Sequence, residues 1–148
     1  MARRTHVVIM RRSWGLIDKI LSGQKTIESR WYKNKCKPWN QISPGDIIYF
    51  KDSGGPVKAK AKVIKIEQFS DLNYQKAKQI LNSIKKSDLG LDKDIPREFQ
   101  DYIKGKQYCM LVYFNQVQTI KSFNINKKGF GTQAAWIIVD DIGKIRVK

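Results

Sequence analysis

The stretch LSGQKTIESRW, residues 21–31, decides how the chain around it is expected to fold. The residues that lead into it, 14–22, carry the apolar spacing of a short helix. Gly23 then stands where a glycine in the left-handed conformation commonly ends a helix. Residues 26–31 have the composition of a strand. The sequence therefore predicts a tight helix-to-strand junction at Gly23.

Three charged side chains belong to this junction. Alternation along a strand places Glu28 and Arg30 on one face, with Thr26, and leaves Ile27 on the opposite face with Ser29 and Trp31. We expect Lys25, in the turn, to lean over the face that carries Glu28 and Arg30. A cation, a carboxylate and a guanidinium at one junction are typical of a polar cleft rather than a core.

The spacing Gly23-x-Lys25-x-x-Glu28-x-Arg30 resembles the motif of the ASCH domain family, the activating-signal-cointegrator homology domains. The segment ISPGDIIYF, residues 42–50, is similar to the turn and strand that follow the motif in those domains. The resemblance covers roughly residues 5–68. It implies an α+β fold, a small mixed β-barrel of the PUA-like, ASCH type flanked by helices.

Length and composition set the class of protein. The 148 residues suit one domain, 1–148, and 41% hydrophobic residues are enough for a core. The chain has no apolar run of membrane-spanning length, so we expect a cytoplasmic protein with no membrane partner. Cys36, Cys109 and the single histidine, His6, are too far apart for a ligand motif, and we expect neither metal nor cofactor.

The charge is large and unevenly distributed. The formal net charge is +16, and residues 1–40 carry ten lysines and arginines against two acidic residues. Residues 88–101, by contrast, carry five acidic residues against two basic ones. A basic side opposite an acidic one is the pattern of a protein that binds a phosphate backbone. The resemblance implies the same partner, since many ASCH and PUA-like domains look like RNA-binding modules.

Hydrophobic patterns predict the remaining elements. The row Lys58, Lys60 and Lys62 alternates with small residues and then reverses polarity at Ile64, which predicts either a bulge in a long strand or a strand that bends between two environments. A basic, glycine-containing loop is expected over 127–132. We predict strands over residues 5–10, 47–50, 57–68, 108–117, 120–125, 136–140 and 144–147, and helices over 14–22 (capped by Ser13), 71–86 and 97–104.

Aromatic and basic residues before and after the motif extend the expected binding face. Aromatic rings that stack on bases beside lysines that meet phosphates are the components of single-strand binding, and residues 31–39 combine three of each. Both Trp14 and Trp31 are open to a second interpretation as core anchors. We predict a nucleic-acid-binding face for RNA or single-stranded nucleic acid made of Arg11, Arg12, Trp14, Lys25, Glu28, Arg30, Trp31, Lys33, Lys35, Tyr49, Lys51 and Ser53.

A hydrolase that acts on RNA or modified nucleosides is the alternative function. The resemblance implies it, because some ASCH proteins are amidohydrolases of acetylated cytidine with the motif Lys-x-x-Thr-x-Arg, and others are ribonucleases. Glu28 replaces the threonine here, and Glu67 is the candidate for an acid those enzymes take from a later strand. In that function Glu28 would be the catalytic base, with Lys25 stabilising developing negative charge. For Glu28 alone, the other interpretation is an ordinary ion pair with its basic neighbours. For the whole protein, the third interpretation is an interaction module that recognises an acidic protein.

Overall fold

A seven-stranded mixed sheet curls into a half-barrel and forms the frame of the protein. The structure is a computed structural model that describes residues 3–131 and 134–147. The strand order is β2-β5-β4-β3-β1-β6, with β7 paired to β5, and among the described pairs only β1 and β3 run parallel. The strands are β1 Thr5–Met10, β2 Ile27–Tyr32, β3 Ile47–Asp52, β4 Val57–Phe69, β5 Tyr108–Ile125, β6 Trp136–Val139 and β7 Arg146–Val147.

Three α-helices within the described residues pack with this sheet: α1 Leu16–Leu21, α2 Tyr74–Leu89 and α3 Arg97–Ile103. The predicted α+β class, with a barrel-like mixed sheet flanked by helices, is thus confirmed. The helix α2 begins three residues later than predicted, because the Asn73 side chain accepts a hydrogen bond from the backbone N–H of Lys76 and caps it. Nowhere in residues 3–131 and 134–147 is a helix long and apolar enough to cross a membrane.

The predicted first helix is divided. Residues Arg12–Trp14 form a 3-10 turn, and Gly15 (φ 60°) separates it from α1. The prediction that Ser13 caps the helix was wrong, since Ser13 lies inside that turn and the residue at the cap of α1 is Gly15. Gly23 (φ 86°) has the left-handed conformation expected past the helix end, and its N–H donates to the carbonyl of Ile20.

The two strands predicted over 108–117 and 120–125 are one strand, β5. It continues through Gln116, which has a positive φ of 54°, and its pairing with β4 shifts register three times. One of those shifts, between Val63 and Lys65, is the bulge that the polarity reversal predicted. At the chain end, Ile142–Lys144 is a 3-10 turn, so the predicted strand 144–147 is reduced to β7. Thr132, in the predicted basic loop, lies outside the described residues.

The core lies on both faces of β1. Val8 and Met10 belong to the main cluster between the sheet and the helices, whereas Val7 and Ile9 belong to a smaller one with β6 and the end of β5. Five of the six residues of β1 are buried, which is why the strand reads as an unbroken apolar run. The chain leaves this central strand at Arg11, directly beside the cleft described below.

A buried histidine anchors β1 to its neighbours. Trp136 Nε1 donates to His6 Nδ1 (3.0 Å), so that nitrogen carries no proton, and His6 Nε2–H donates to Asp46 Oδ2 (2.8 Å). His6 is fully buried. Burial lowers the pKa of His6 and outweighs the opposing effect of Asp46. His6 is therefore neutral in the folded protein.

Acidification through the ordinary pKa of histidine is expected to weaken folding through His6. The pKa of His6 lies below 6.5 in the folded state. At pH values between the folded-state pKa and about 6.5, the unfolded chain therefore binds more protons than the folded one. The unfolding free energy consequently falls as the pH drops below about 6.5. His6 is the only histidine, so urea titrations at pH about 7.5 and 5.5 should show the fall in the wild type and lose it in His6→Gln. Equal stability of the wild type at both pH values would contradict this prediction.

Candidate nucleic-acid interface

A cleft of about 410 Å³ opens beside the predicted motif. Its floor comes from β2, its wall from the 3-10 turn and α3, and its rim from the ends of β1 and β3 and from the segment around Lys127. Six of the predicted binding residues line it: Arg11, Trp14, Glu28, Arg30, Trp31 and Ser53.

Glu28 and Arg30 form the polar floor. Because they are two apart on β2, their side chains project to the same face, and Arg30 Nε donates to Glu28 Oε2 at 2.8 Å. Arg30 Nη2 lies 2.8 Å from the same oxygen and donates to the carbonyl of Ile9 at 3.1 Å. The guanidinium also packs over the ring of Trp136, 5.3 Å from its centre. The predicted sharing of one face by Glu28 and Arg30 is confirmed.

The sequence predicted that Lys25 leans over the cleft, and this prediction was wrong. Lys25 lies beneath the floor. Its side chain is fully buried, and Lys25 Nζ lies 2.6 Å from Asp88 Oδ1 and 3.0 Å from Glu28 Oε1. The same ammonium donates to the carbonyls of Ile27 and Asp88, both at 2.6 Å. A cation with all its protons committed to the protein interior cannot also contact a ligand, so the binding and catalytic roles predicted for Lys25 do not fit this position.

The charges in this network sustain one another. Burial alone would lower the pKa of Lys25, but the charges of Asp88 and Glu28 and their hydrogen bonds outweigh burial and raise it. Burial alone would raise the pKa of Glu28, but Lys25 and then Arg30 outweigh burial and lower it. Glu28 is therefore an anion near neutral pH, with one oxygen bound to each cation.

The end of α2 is held to the junction by the same residues. The last carbonyls of a helix lack intrahelical partners, and here those of Ser87, Asp88 and Leu89 accept hydrogen bonds from the Thr26 N–H and from the ammonium groups of Lys25 and Lys19. Positive charge at this end also complements the helix dipole. The residues of the helix-to-strand junction thus have a structural role, since they hold the end of α2 against β2, which forms the cleft floor.

Aromatic rings form the wall of the cleft. Trp14 meets Phe99 and Tyr102 edge to face, with ring centres 4.6 and 5.5 Å apart. Trp14 Nε1 donates to Glu98 at 2.8 Å, which fixes the orientation of the indole. The guanidinium of Arg11 lies 4.6 Å from the centre of the Trp14 ring, and its side chain is half exposed. The wall of the cleft is thus a cluster of three aromatic rings with a half-exposed arginine packed on it.

Trp31 is a core residue. It is 4% exposed, and its Nε1 donates to Ser29 Oγ, which in turn donates to Asp88 Oδ2. Of the two interpretations of Trp31, the core anchor is the one that the structure supports. Trp39 is instead half-buried and lies with Tyr108 and Lys35 in a patch that does not line the cleft.

The other predicted residues lie in three places. Lys33 is exposed and, like Lys35, is not part of the cleft lining. Tyr49 packs against Phe123 in the smaller core cluster, so its ring is not available to a ligand in the cleft. Arg12 and Lys51 lie near the rim and are described further below.

Several residues of the site were not predicted. Asp88, Phe99 and Tyr102 come from helices far along the chain, and no motif at the junction indicates which distant side chains will meet it. Glu67, the candidate for a later-strand acid, is not part of the cleft lining either; it accepts a hydrogen bond from the hydroxyl of Tyr113. Within the described ranges, no cluster of His, Cys, Asp and Glu has the arrangement of a metal site.

The fold of this chain is ASCH-like. The chain superposes on the crystal structure of an ASCH protein from Zymomonas mobilis with a TM-score of 0.65 and 16% identity, covering 91% of this chain and 87% of that one. Two single-substitution mutants of that protein give TM-scores of 0.66, also at 16% identity, with 93% of this chain covered and 91% and 89% of theirs. No family model matches the sequence, and no curated protein matches it.

Proposed function

We propose that this protein binds single-stranded or locally unpaired RNA and takes one base into the cleft. The observation that carries the proposal is the juxtaposition of an aromatic wall at Trp14 with the charged floor of Glu28 and Arg30. A cleft of about 410 Å³ is in the range of pockets that hold small flat ligands, and a nucleobase is a small flat ligand. The aromatic wall supplies stacking, which tolerates any base.

The floor supplies polar contacts for the edge of that base. Arg30 Nη1 makes one long contact within the described residues, 3.5 Å to the carbonyl of Ala135, so it retains donor capacity toward the cleft. Glu28 holds the guanidinium in place on that face. A directional donor fixed on the floor favours recognition of a base edge over simple attraction of charge.

The charge of the whole protein supplies the attraction for the strand. A net charge of +16 raises the local concentration of a polyanion and speeds its encounter with the protein. Because this attraction is independent of base, the cleft is the part that discriminates. The same arrangement would hold a nucleotide within a strand more tightly than a free nucleoside.

Recognition describes the floor better than catalysis does. A general base needs an accessible oxygen and a pKa near the working pH. Both oxygens of Glu28 are engaged, and its two cations lower its pKa, so it is a weak base. The geometry therefore favours binding over the hydrolase alternative.

Replacing Trp14 by alanine tests the proposal. If the indole stacks on a base, Trp14→Ala is expected to weaken binding of a mixed-sequence single-stranded RNA by about 1–3 kcal/mol, or roughly 5- to 150-fold in Kd. The matched control is Trp39→Ala, since Trp39 is also a half-buried tryptophan but lies outside the cleft. Fluorescence anisotropy measures the affinity, and thermal melts confirm that each variant is folded.

Two results would refute the proposal. One is a wild-type protein that does not bind the RNA, or binds it no better than heparin at equal charge. The other is equal weakening by Trp14→Ala and Trp39→Ala. Since Trp14 packs on Phe99 and Tyr102, Trp14→Leu serves as a second variant that keeps apolar volume but removes the stacking surface.

A further inference from the structure

Four basic side chains gather at the rim of the cleft where β3 ends. Lys51 and Asp52 of β3 pair in register with Ile9 and Met10 of β1, and both of those partners line the cleft. Ser53, the next residue, lines it as well, and so does Lys127 from the segment after β5. The basic residues around this point, here called the rim cluster, are Arg12, Lys51, Lys58 and Lys127.

Lys51 is the unusual member of the rim cluster. Its residue is only 7% exposed, yet it makes no hydrogen bond or ion pair with its side chain in the described part of the chain. The sole buried side-chain N or O atom without a partner in that part is Asp52 Oδ1, so the unpartnered ammonium of Lys51 must reach solvent. The protein therefore buries the stem of a lysine while presenting its charged tip at the rim.

The charges around Lys51 repel it rather than neutralise it. Burial lowers the pKa of Lys51. The positive charges of Lys127 and Arg12 lower this pKa further, and the negative charge of Asp52 opposes them. Asp18 and Asp52 are the acidic groups near the cluster, and neither forms an ion pair with Lys51 among the described residues. An ammonium held beside like charges without an acidic partner destabilises the protein unless an anion joins it.

The hairpin between β3 and β4 completes the surroundings. Arg12 lies across it, since a Cβ placed on Gly55 would come within 2.7 Å of Arg12 Nη2. Gly55 N–H donates to the carbonyl of Asp52 at 3.0 Å and closes the turn, while Ser53 N–H donates to the carbonyl of Met10 and ties the hairpin to β1. The position of Lys51 is thus set by a closed hairpin and by strand pairing on both sides.

We propose that the rim cluster, with Lys51 at its centre, is a phosphate site that holds the backbone of the strand whose base enters the cleft. The inference rests on the proposed function and adds the class of ligand: a phosphodiester-linked nucleotide rather than a free base or nucleoside. Lys127 lines the same cleft as Trp14, and Lys51 lies on the strand paired with the cleft-lining residue Ile9, so one nucleotide would contact the aromatic wall with its base and the cluster with its phosphate. Lys51 supplies a point charge of the kind that contacts phosphate without reading sequence.

The test compares Lys51→Met with Lys76→Met. Methionine preserves the buried stem and removes the charge, and Lys76 is an exposed lysine of α2 whose replacement changes the net charge equally. For a single-stranded RNA of roughly ten nucleotides, Lys51→Met is expected to weaken binding about three- to tenfold whatever the sequence, and to reduce the salt slope by about 0.7–1. Lys51→Arg should restore both, and Lys76→Met should change neither.

A second measurement separates this site from the proposed function. Inorganic pyrophosphate, titrated in NMR spectra, is expected to shift the backbone amide signals of residues 52–55 saturably in the wild type and in Lys76→Met, but not in Lys51→Met. Equal shifts in Lys51→Met, no shift in the wild type, or an RNA salt slope unchanged by Lys51→Met would overturn the phosphate site. RNA binding that is absent in the wild type would instead refute the proposed function, and the pyrophosphate result would still decide the site.

Discussion

Lys25→Met is expected to lower the free energy of unfolding by about 3–5 kcal/mol, the usual cost of removing one partner from a buried ion pair. Lys25 is 1% exposed and is the cation that both Asp88 and Glu28 contact. Its removal leaves Glu28 with Arg30 alone and Asp88 with no ion-pair partner among the described residues, and it strips hydrogen bonds from two carbonyls. Urea denaturation at neutral pH measures the loss, which corresponds to a Tm fall of roughly 10–15 °C.

The matched control is again Lys76→Met, which should lie within about 0.5 kcal/mol of the wild type because Lys76 is exposed. A loss below about 1 kcal/mol in Lys25→Met would contradict the structural role. The double variant Lys25→Met with Asp88→Asn adds a sharper test. Since the two side chains are 2.6 Å apart, the second change should cost less in the background of the first, with a coupling of about 0.5–3 kcal/mol.

The pH dependence of this network has a definite sign. The pKa of Lys25 is raised, so its contribution is complete below 10.5 and is lost only as the pH rises through the folded-state value. The pKa of Glu28 is lowered, so its contribution is present above 4.5 and is lost as the pH falls through the folded-state value. The network therefore works at full strength across neutral pH.

Trp31→Ala is the second change with a large expected effect, about 3–5 kcal/mol of unfolding free energy, because it opens a cavity in a closed core. Trp31 belongs to the main cluster, and its loss also leaves Ser29 Oγ without its donor. Trp14→Ala should cost clearly less stability while costing more binding. Chemical denaturation and RNA titration on the two variants, side by side, separate packing from stacking.

The outcome that would contradict this assignment is specific. If Trp31→Ala kept the stability of the wild type within about 1 kcal/mol and lost RNA binding, the ring would have to leave the core to meet a base. Trp31→Phe is the milder control, since it retains an apolar ring of smaller volume and removes the contact to Ser29. Its loss of stability should be well below that of Trp31→Ala.

Local patterns in the sequence predicted many elements of the fold correctly. The strand β1, the bulge in β4, the left-handed Gly23 and the common face of Glu28 and Arg30 all follow from spacing within a few residues. The predicted helix boundaries were wrong at two positions. Gly15 interrupts the first predicted helix, and the Asn73 cap makes α2 begin later than predicted. The ASCH-type architecture was predicted from two short motifs, and it is the fold shared with the Zymomonas mobilis structures.

The fate of each charge, by contrast, depended on contacts distant in sequence. The local sequence around Lys25 predicts a ligand-binding residue. Its ammonium instead binds Asp88, sixty-three positions away, and is buried beneath the floor of the cleft. Phe99 and Tyr102 likewise turn Trp14 into part of a wall. The sequence alone determined the order and periodicity of the elements, because these depend on neighbouring residues. Only the tertiary structure decided which charges are buried, because the energy of a charge depends on the solvent and partners that the whole fold leaves around it.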